Sequence, residues 1–125
     1  MKRASAPAAK PPRLAAIRKI ALSFPQAWEN EWYGDPWFQV GKSSFALYSS
    51  KEGAWIFKLP QAHQMVLFES RPDTFWPMRA GRLLWSFVRV EDLDSGELRA
   101  RLESAWRMIA PKKVQRAYDE VRSTK

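Results

Sequence analysis

Asp35-Pro36-Trp37-Phe38-Gln39-Val40-Gly41-Lys42-Ser43-Ser44-Phe45-Ala46-Leu47-Tyr48 is the stretch whose reading decides the fold. Trp37–Val40 and Ser44–Tyr48 are rich in the aromatic and branched residues that favour strands. Gly41, Lys42 and Ser43 between them suit a tight connection, so the segment predicts a β-hairpin with a lysine at its tip. Pro36 falls at the first strand's entry, where a missing N–H does little harm.

Downstream, Ser49 to Gly53 predicts a second turn and Ala54 to Leu59 a third strand. There Trp55, Phe57 and Leu59 would face one side, with Ala54, Ile56 and Lys58 on the other. Three strands with short links make an antiparallel meander. Upstream, Ile17, Ile20, Ala21 and Phe24 recur at helical spacing, which predicts a helix over Arg13 to Phe24. Pro25 stops it. Residues 26–36 read as a loop with Gly34-Asp35 as a turn signal.

After the meander, Pro60 opens a helix over Gln61 to Glu69, with Met65, Val66 and Phe68 as its packing residues. Arg71 to Gly81 reads as an irregular link in which Pro77 argues against regular structure, with room for a further strand around Phe75 to Met78. Leu83 to Val90 is apolar enough for a strand inside the sheet. Asp94 or Ser95 can cap the next helix, with Glu97 in its first turn. Leu98, Leu102, Ala105, Trp106 and Ile109 form a single apolar stripe along it. Pro111 breaks it, and Lys112 to Val121 reads as a short last helix. The expected fold is α+β and two-layered, an antiparallel sheet of about five strands with helices packed on one face.

The length of 125 residues argues for one domain, and a 46% apolar content with 7 Trp and 7 Phe supplies its core. Residues 1–12 read as a disordered basic tail and 13–125 as the folded domain. The absence of cysteine excludes disulfides, thiolate metal sites and a cysteine nucleophile, and fits a reducing, cytoplasmic setting. No apolar run approaches a membrane span. The net charge is +8, and +5 without Lys2, Arg3 and Lys10. A basic body of this kind favours polyanions.

No catalytic constellation is visible. His63, the one histidine, sits on an expected helix with no carboxylate beside it in sequence. Glu91, Asp92 and Asp94 read as turn and cap residues before a helix, and no His or Cys completes a metal set. Ser43-Ser44 and Ser49-Ser50 lack a local base. Gly41-Lys42-Ser43 has neither the upstream glycines nor the following helix of a phosphate loop. The expectation is therefore a non-enzyme without cofactor or metal.

Nucleic acid is the better match. Lys42, Lys51, Lys58, Arg79 and Arg82 would form one basic rim that contacts phosphates. Trp28, Trp32, Tyr33 and Trp37, in or beside a loop, could stack on unpaired bases or simply close the end of the core. Arg99, Arg101 and Arg107 belong to a helix face that Glu97 and Glu103 make mixed in charge.

Four stretches together resemble the MmcQ/YjbR-like family: Pro36–Lys42 leading to Phe45-Ala46; Glu52-Gly53 followed by Phe57–Leu59; Trp85–Val88; and Ala105–Arg107 running into Ala110–Lys113. The likeness spans about Leu14 to Val121. It implies a small α+β fold similar to that of type III secretion chaperones, and a double-wing, DNA-binding role with hairpins as wings. It carries no catalytic motif. The same likeness implies a rival from another class: a chaperone-like interaction module, with a protein partner or a homodimer. A small-ligand pocket between the tryptophan-rich loop and the sheet is a third reading.

Overall fold

A computed structural model describes residues 10–78 and 84–123. Its elements run α1 (Leu14–Ser23), β1 (Ala27–Trp32), β2 (Asp35–Val40), β3 (Ser43–Ser49), β4 (Ala54–Lys58), α2 (Gln61–Ser70), β5 (Phe75–Pro77), β6 (Trp85–Val88), a 3-10 turn at Val90–Asp92, α3 (Ser95–Ile109) and α4 (Lys112–Ser123). The strands form one antiparallel sheet in the order β1-β2-β3-β4-β6-β5. The helices cover one of its faces, so the expected two-layer α+β architecture is present.

One strand departs from the sequence reading, and another takes the room left for it around Phe75 to Met78. Residues 26–36 are not a loop, because Ala27–Trp32 pairs with β2 throughout its length. Its polar residues are tolerated because β1 is an edge strand, exposed over most of its length. The turn is Tyr33-Gly34, one residue earlier than expected, with φ of +51° and +87°. Two positive φ values in a two-residue loop match the strand twist, and tyrosine rarely adopts one. Pro77 does belong to a strand: β5 is the opposite edge, where its missing N–H breaks no ladder.

The deciding hairpin forms around Gly41-Lys42, Gly41 taking a φ of +59°. The β2–β3 register shifts between Phe38 and Gln39, so that Phe45 is an extra residue on β3. This bulge turns both Phe45 and Ala46 into the core.

The core lies between sheet and helices. Ile17, Ala21 and Phe24 of α1 and its C-terminus meet Leu98, Leu102, Ala105 and Trp106 of α3 over Phe38, Phe45, Trp55 and Phe57. The α3 stripe behaves as its spacing predicts, with Ile109 half-buried at its end. Asp94 caps α3 by accepting the Glu97 N–H at 2.8 Å. Trp106 stacks on Phe24 at 5.4 Å between centroids and meets Tyr118 of α4 edge-on at 5.0 Å. Both core indoles find acceptors: Trp106 Nε1 donates to the Pro25 carbonyl at 3.1 Å and Trp55 Nε1 to that of Pro12 at 2.8 Å. The second bond draws residue 12, expected in the tail, into the folded unit; residues 1–9 lie outside the described residues.

In α2 the inward residues are Gln64, Leu67 and Phe68, whereas Met65 and Val66 are 71% and 63% exposed. Gln64 Nε2 donates to the Leu59 carbonyl at 3.2 Å. A buried glutamine with a satisfied amide, not Met65 or Val66, is therefore the inward residue of this turn.

Candidate nucleic-acid interface

The helix-free face of the sheet is built by strand alternation. Successive side chains point to opposite faces, so the residues between those of the core must line the other side. Leu47 and Ile56 are buried yet outside the main core cluster, which fits their place at the middle of this second face. Pairing carries one row across all six strands: Asn30 opposite Trp37, Trp37 opposite Leu47, Leu47 opposite Ile56, Ile56 opposite Phe87, and Phe87 opposite Trp76. At ~4.8 Å per strand the row is about 24 Å long.

Five of the seven tryptophans stand on this face, namely Trp28, Trp32, Trp37, Trp76 and Trp85; the other two, Trp55 and Trp106, are in the core. Trp32 and Tyr33 are 56% and 90% exposed, and Trp28 and Trp76 are also open to solvent. Trp76 stacks on Phe87 at 5.5 Å and 17° between planes. Trp32 lies 5.6 Å from Trp37, and Tyr33 meets Trp32 edge-on at 5.2 Å. A hollow of about 310 Å³ between these groups is lined by Trp37, Ser44, Leu47, Ile56, Lys58 and Trp85.

Among the described residues, the strand positions of this face carry one cation, Lys58, and one carboxylate at the rim, Asp35. Lys58 projects from β4, its Nζ 4.6 Å from the Trp85 ring centroid. Asp35 stands only at the rim, where its carboxylate accepts from both the N–H and the hydroxyl of Ser50 at 3.0 Å. Lys42 sits on the β2–β3 turn, and that turn is tied to β1 and β2. Trp28 Nε1 donates to the Gly41 carbonyl at 3.0 Å, and Gln39 Nε2 to the Lys42 carbonyl at 3.3 Å. Gln39 also accepts from Asn30 Nδ2 at 2.8 Å and donates to Ser44 Oγ at 3.1 Å, which satisfies it in its buried position.

Of the residues expected on one rim, the fold brings Lys42 and Lys58 to one end of the sheet. Ser43, next to Lys42, lines the same hollow as Lys58. Lys51 is on the β3–β4 turn at the opposite end, roughly 24 Å away at ~3.4 Å per residue of β3. A single rim holding all the expected lysines is therefore not formed. Arg79 and Arg82 lie outside the described residues. Trp28, Trp32 and Trp37 belong to the edge hairpin rather than a loop. Trp76, Trp85 and Phe87 were not read as site residues, although the alternation in Trp85-Ser86-Phe87 was a usable signal.

The helical side is chemically different, with several of its acids in ion pairs. Glu103 accepts from Arg107 at 3.1 Å, Arg122 at 3.0 Å and the Tyr118 hydroxyl at 3.2 Å, tying α3 to α4. Hydrogen bonding from Arg107 holds the Asp119 carboxyl below its ordinary value, and the same bond raises Arg107. Arg18 is raised by its hydrogen bond to Glu29, and Arg71 pairs with Glu97. Burial, then Asp35 and Glu91, push the Tyr48 hydroxyl up. Asp92 accepts from Thr74 at 2.8 Å, and Asp94 is occupied as a cap. His63 Nδ1 lies 3.3 Å from Arg101, and among the described residues no cluster of three or more His, Cys, Asp or Glu could hold a metal.

The YjbR family model matches residues 22–108, from the last turn of α1 to the end of α3. The chain belongs to the YjbR family. The match takes in all six strands, and hence the whole helix-free face of this YjbR protein, and leaves α4 outside. No curated protein and no solved structure matches the chain. Among the described residues no helix of the YjbR protein is long and apolar enough to cross a membrane.

Proposed function

We propose that this YjbR-family protein binds nucleic acid, DNA first among candidates, with Lys42 and Lys58 contacting phosphate at one end of the helix-free sheet face. One observation carries the reading: that face combines exposed aromatic rings with lysine, and the one carboxylate on its strands among the described residues, Asp35, is held at the rim. Cations near phosphates release condensed counterions and give affinity without sequence preference. The turn that bears Lys42 is fixed by the Trp28 and Gln39 hydrogen bonds, so the charge is presented in place rather than on a loose loop. No catalytic or cofactor role forms part of the proposal.

The test is binding of labelled oligonucleotides as a function of salt, with Lys42→Gln and Lys58→Gln variants checked for folding. Weakened binding with a shallower salt dependence supports the reading. Unchanged binding in both folded variants overturns it.

A second reading has its own observation. Leu47 and Ile56 are buried at the middle of the face even without a covering layer, and such an apolar centre with a polar margin also suits a protein partner or a second copy. It predicts a complex that salt hardly affects.

A further inference from the structure

We infer that the six-strand row is a base-stacking track, so that the ligand of this face is an unpaired nucleic-acid strand rather than a duplex. The inference rests on the nucleic-acid reading of the same face and names the form of ligand it takes.

Three features point to bases. The first is the residue type: the face exposes Trp28, Trp32, Tyr33 and Trp76, flat rings that offer a π surface to any base. The second is their spread. Trp32 and Tyr33 lie at the β1 edge and Trp76 at the β5 edge, about 24 Å apart across the row at ~4.8 Å per strand. That is a track for several consecutive nucleotides rather than a pocket for one. The third is charge: Lys58 stands on the face and Lys42 on the β2–β3 turn at the same end of the sheet, while the Asp35 carboxylate, beside Trp32 at the other end, accepts from Ser50. A duplex keeps its bases stacked on one another, so it can meet the lysines but not the rings.

Tyr33 adds weight. A tyrosine at φ +51° occupies a position that glycine or asparagine fills more easily, and its ring is 90% exposed. Its edge-on contact with Trp32 leaves most of the ring open, as a stacking residue at the β1 edge requires.

The test uses the full chain. Fluorescence anisotropy would compare a labelled single-stranded oligonucleotide with the duplex of the same sequence. The variants are Trp32→Leu/Trp76→Leu and Trp32→Phe/Trp76→Phe, each checked by circular dichroism and melting. The single strand is expected to bind about tenfold more tightly than the duplex. The leucine pair should lose about tenfold or more for the single strand with duplex binding unaltered, and the phenylalanine pair should retain most of the affinity. Equal affinity for both forms, or an unchanged single-strand affinity in the leucine pair, overturns the stacking track while leaving phosphate binding in place. No binding of either form overturns the nucleic-acid reading itself. A dimer in sedimentation that the leucine pair dissolves would show that a second copy covers the face, which also overturns the inference.

Discussion

Lys58 holds its ammonium 4.6 Å from the centroid of the Trp85 ring, and the two residues are direct partners across β4 and β6. The pairing keeps a cation on the helix-free face instead of letting it swing to the solvent beyond the sheet. It joins the two components of the proposed interface, charge and aromatic surface, in one contact.

Replacing Lys42 or Lys58 with glutamine should therefore make the salt dependence shallower. Each lost phosphate contact should reduce the slope of log affinity against log salt by about 0.7 for a single strand. Lys51→Gln, at the opposite end of the sheet, should change the slope less than either. Equal effects at all three positions would show that net charge alone governs binding.

Tyr33→Asn separates folding from binding. Relief of the left-handed backbone should return about 1 kcal/mol, and loss of the exposed edge-on contact with Trp32 should offset about half of that. Thermal melting is expected to be unchanged or slightly raised, while affinity for a single strand falls. A clear drop in melting temperature would show that the ring is there for stability.

The junction of α1, α3 and α4 should dominate stability. Trp106→Ala removes a fully buried ring, its stacking on Phe24 and its bond to Pro25, and should cost about 3–5 kcal/mol in denaturant unfolding. Asp94→Ala, which removes only the α3 cap, should cost about 1 kcal/mol. Comparable losses at the two sites would contradict this account of the core.

Acid should weaken the attachment of α4. The Asp119 carboxyl is held below its ordinary value mainly by the Arg107 hydrogen bond. A carboxyl depressed in the folded state stabilises above its unfolded pKa, and that contribution is lost as pH falls through the folded one. Melting temperature should fall from about pH 5 downward, and Asp119→Asn should make that fall less steep. An identical pH profile in the variant would remove Asp119 from the explanation.

The strongly periodic elements were legible in the sequence. Leu98, Leu102, Ala105 and Trp106 mark α3, and Trp55, Ile56 and Phe57 mark a strand buried on both faces, because packing on both sides demands apolar residues. The edges were less legible, β5 only as room for a further strand around Phe75 to Met78 and β1 not at all, for the opposite reason. β1 carries Glu29, Asn30 and Glu31, and β5 ends in Pro77, since an edge strand is free of the constraints that make a central one recognisable. Missing β1 concealed the site. Only pairing places Trp28 and Trp32 beside Trp37, and only the crossover order β4-β6-β5 brings Trp85 and Trp76 to the same face. The lysines were visible as residues, but which of them share an end of the sheet is a property of the topology.

The most direct test of the central claim is a salt titration of oligonucleotide binding by the chain lacking residues 1–9, which keeps the Pro12 acceptor of Trp55 and removes Lys2 and Arg3. The account predicts binding whose logarithm falls linearly with log salt and which survives the truncation, as a site on the folded sheet requires. Binding that disappears with those residues, or none even at low salt, would contradict it.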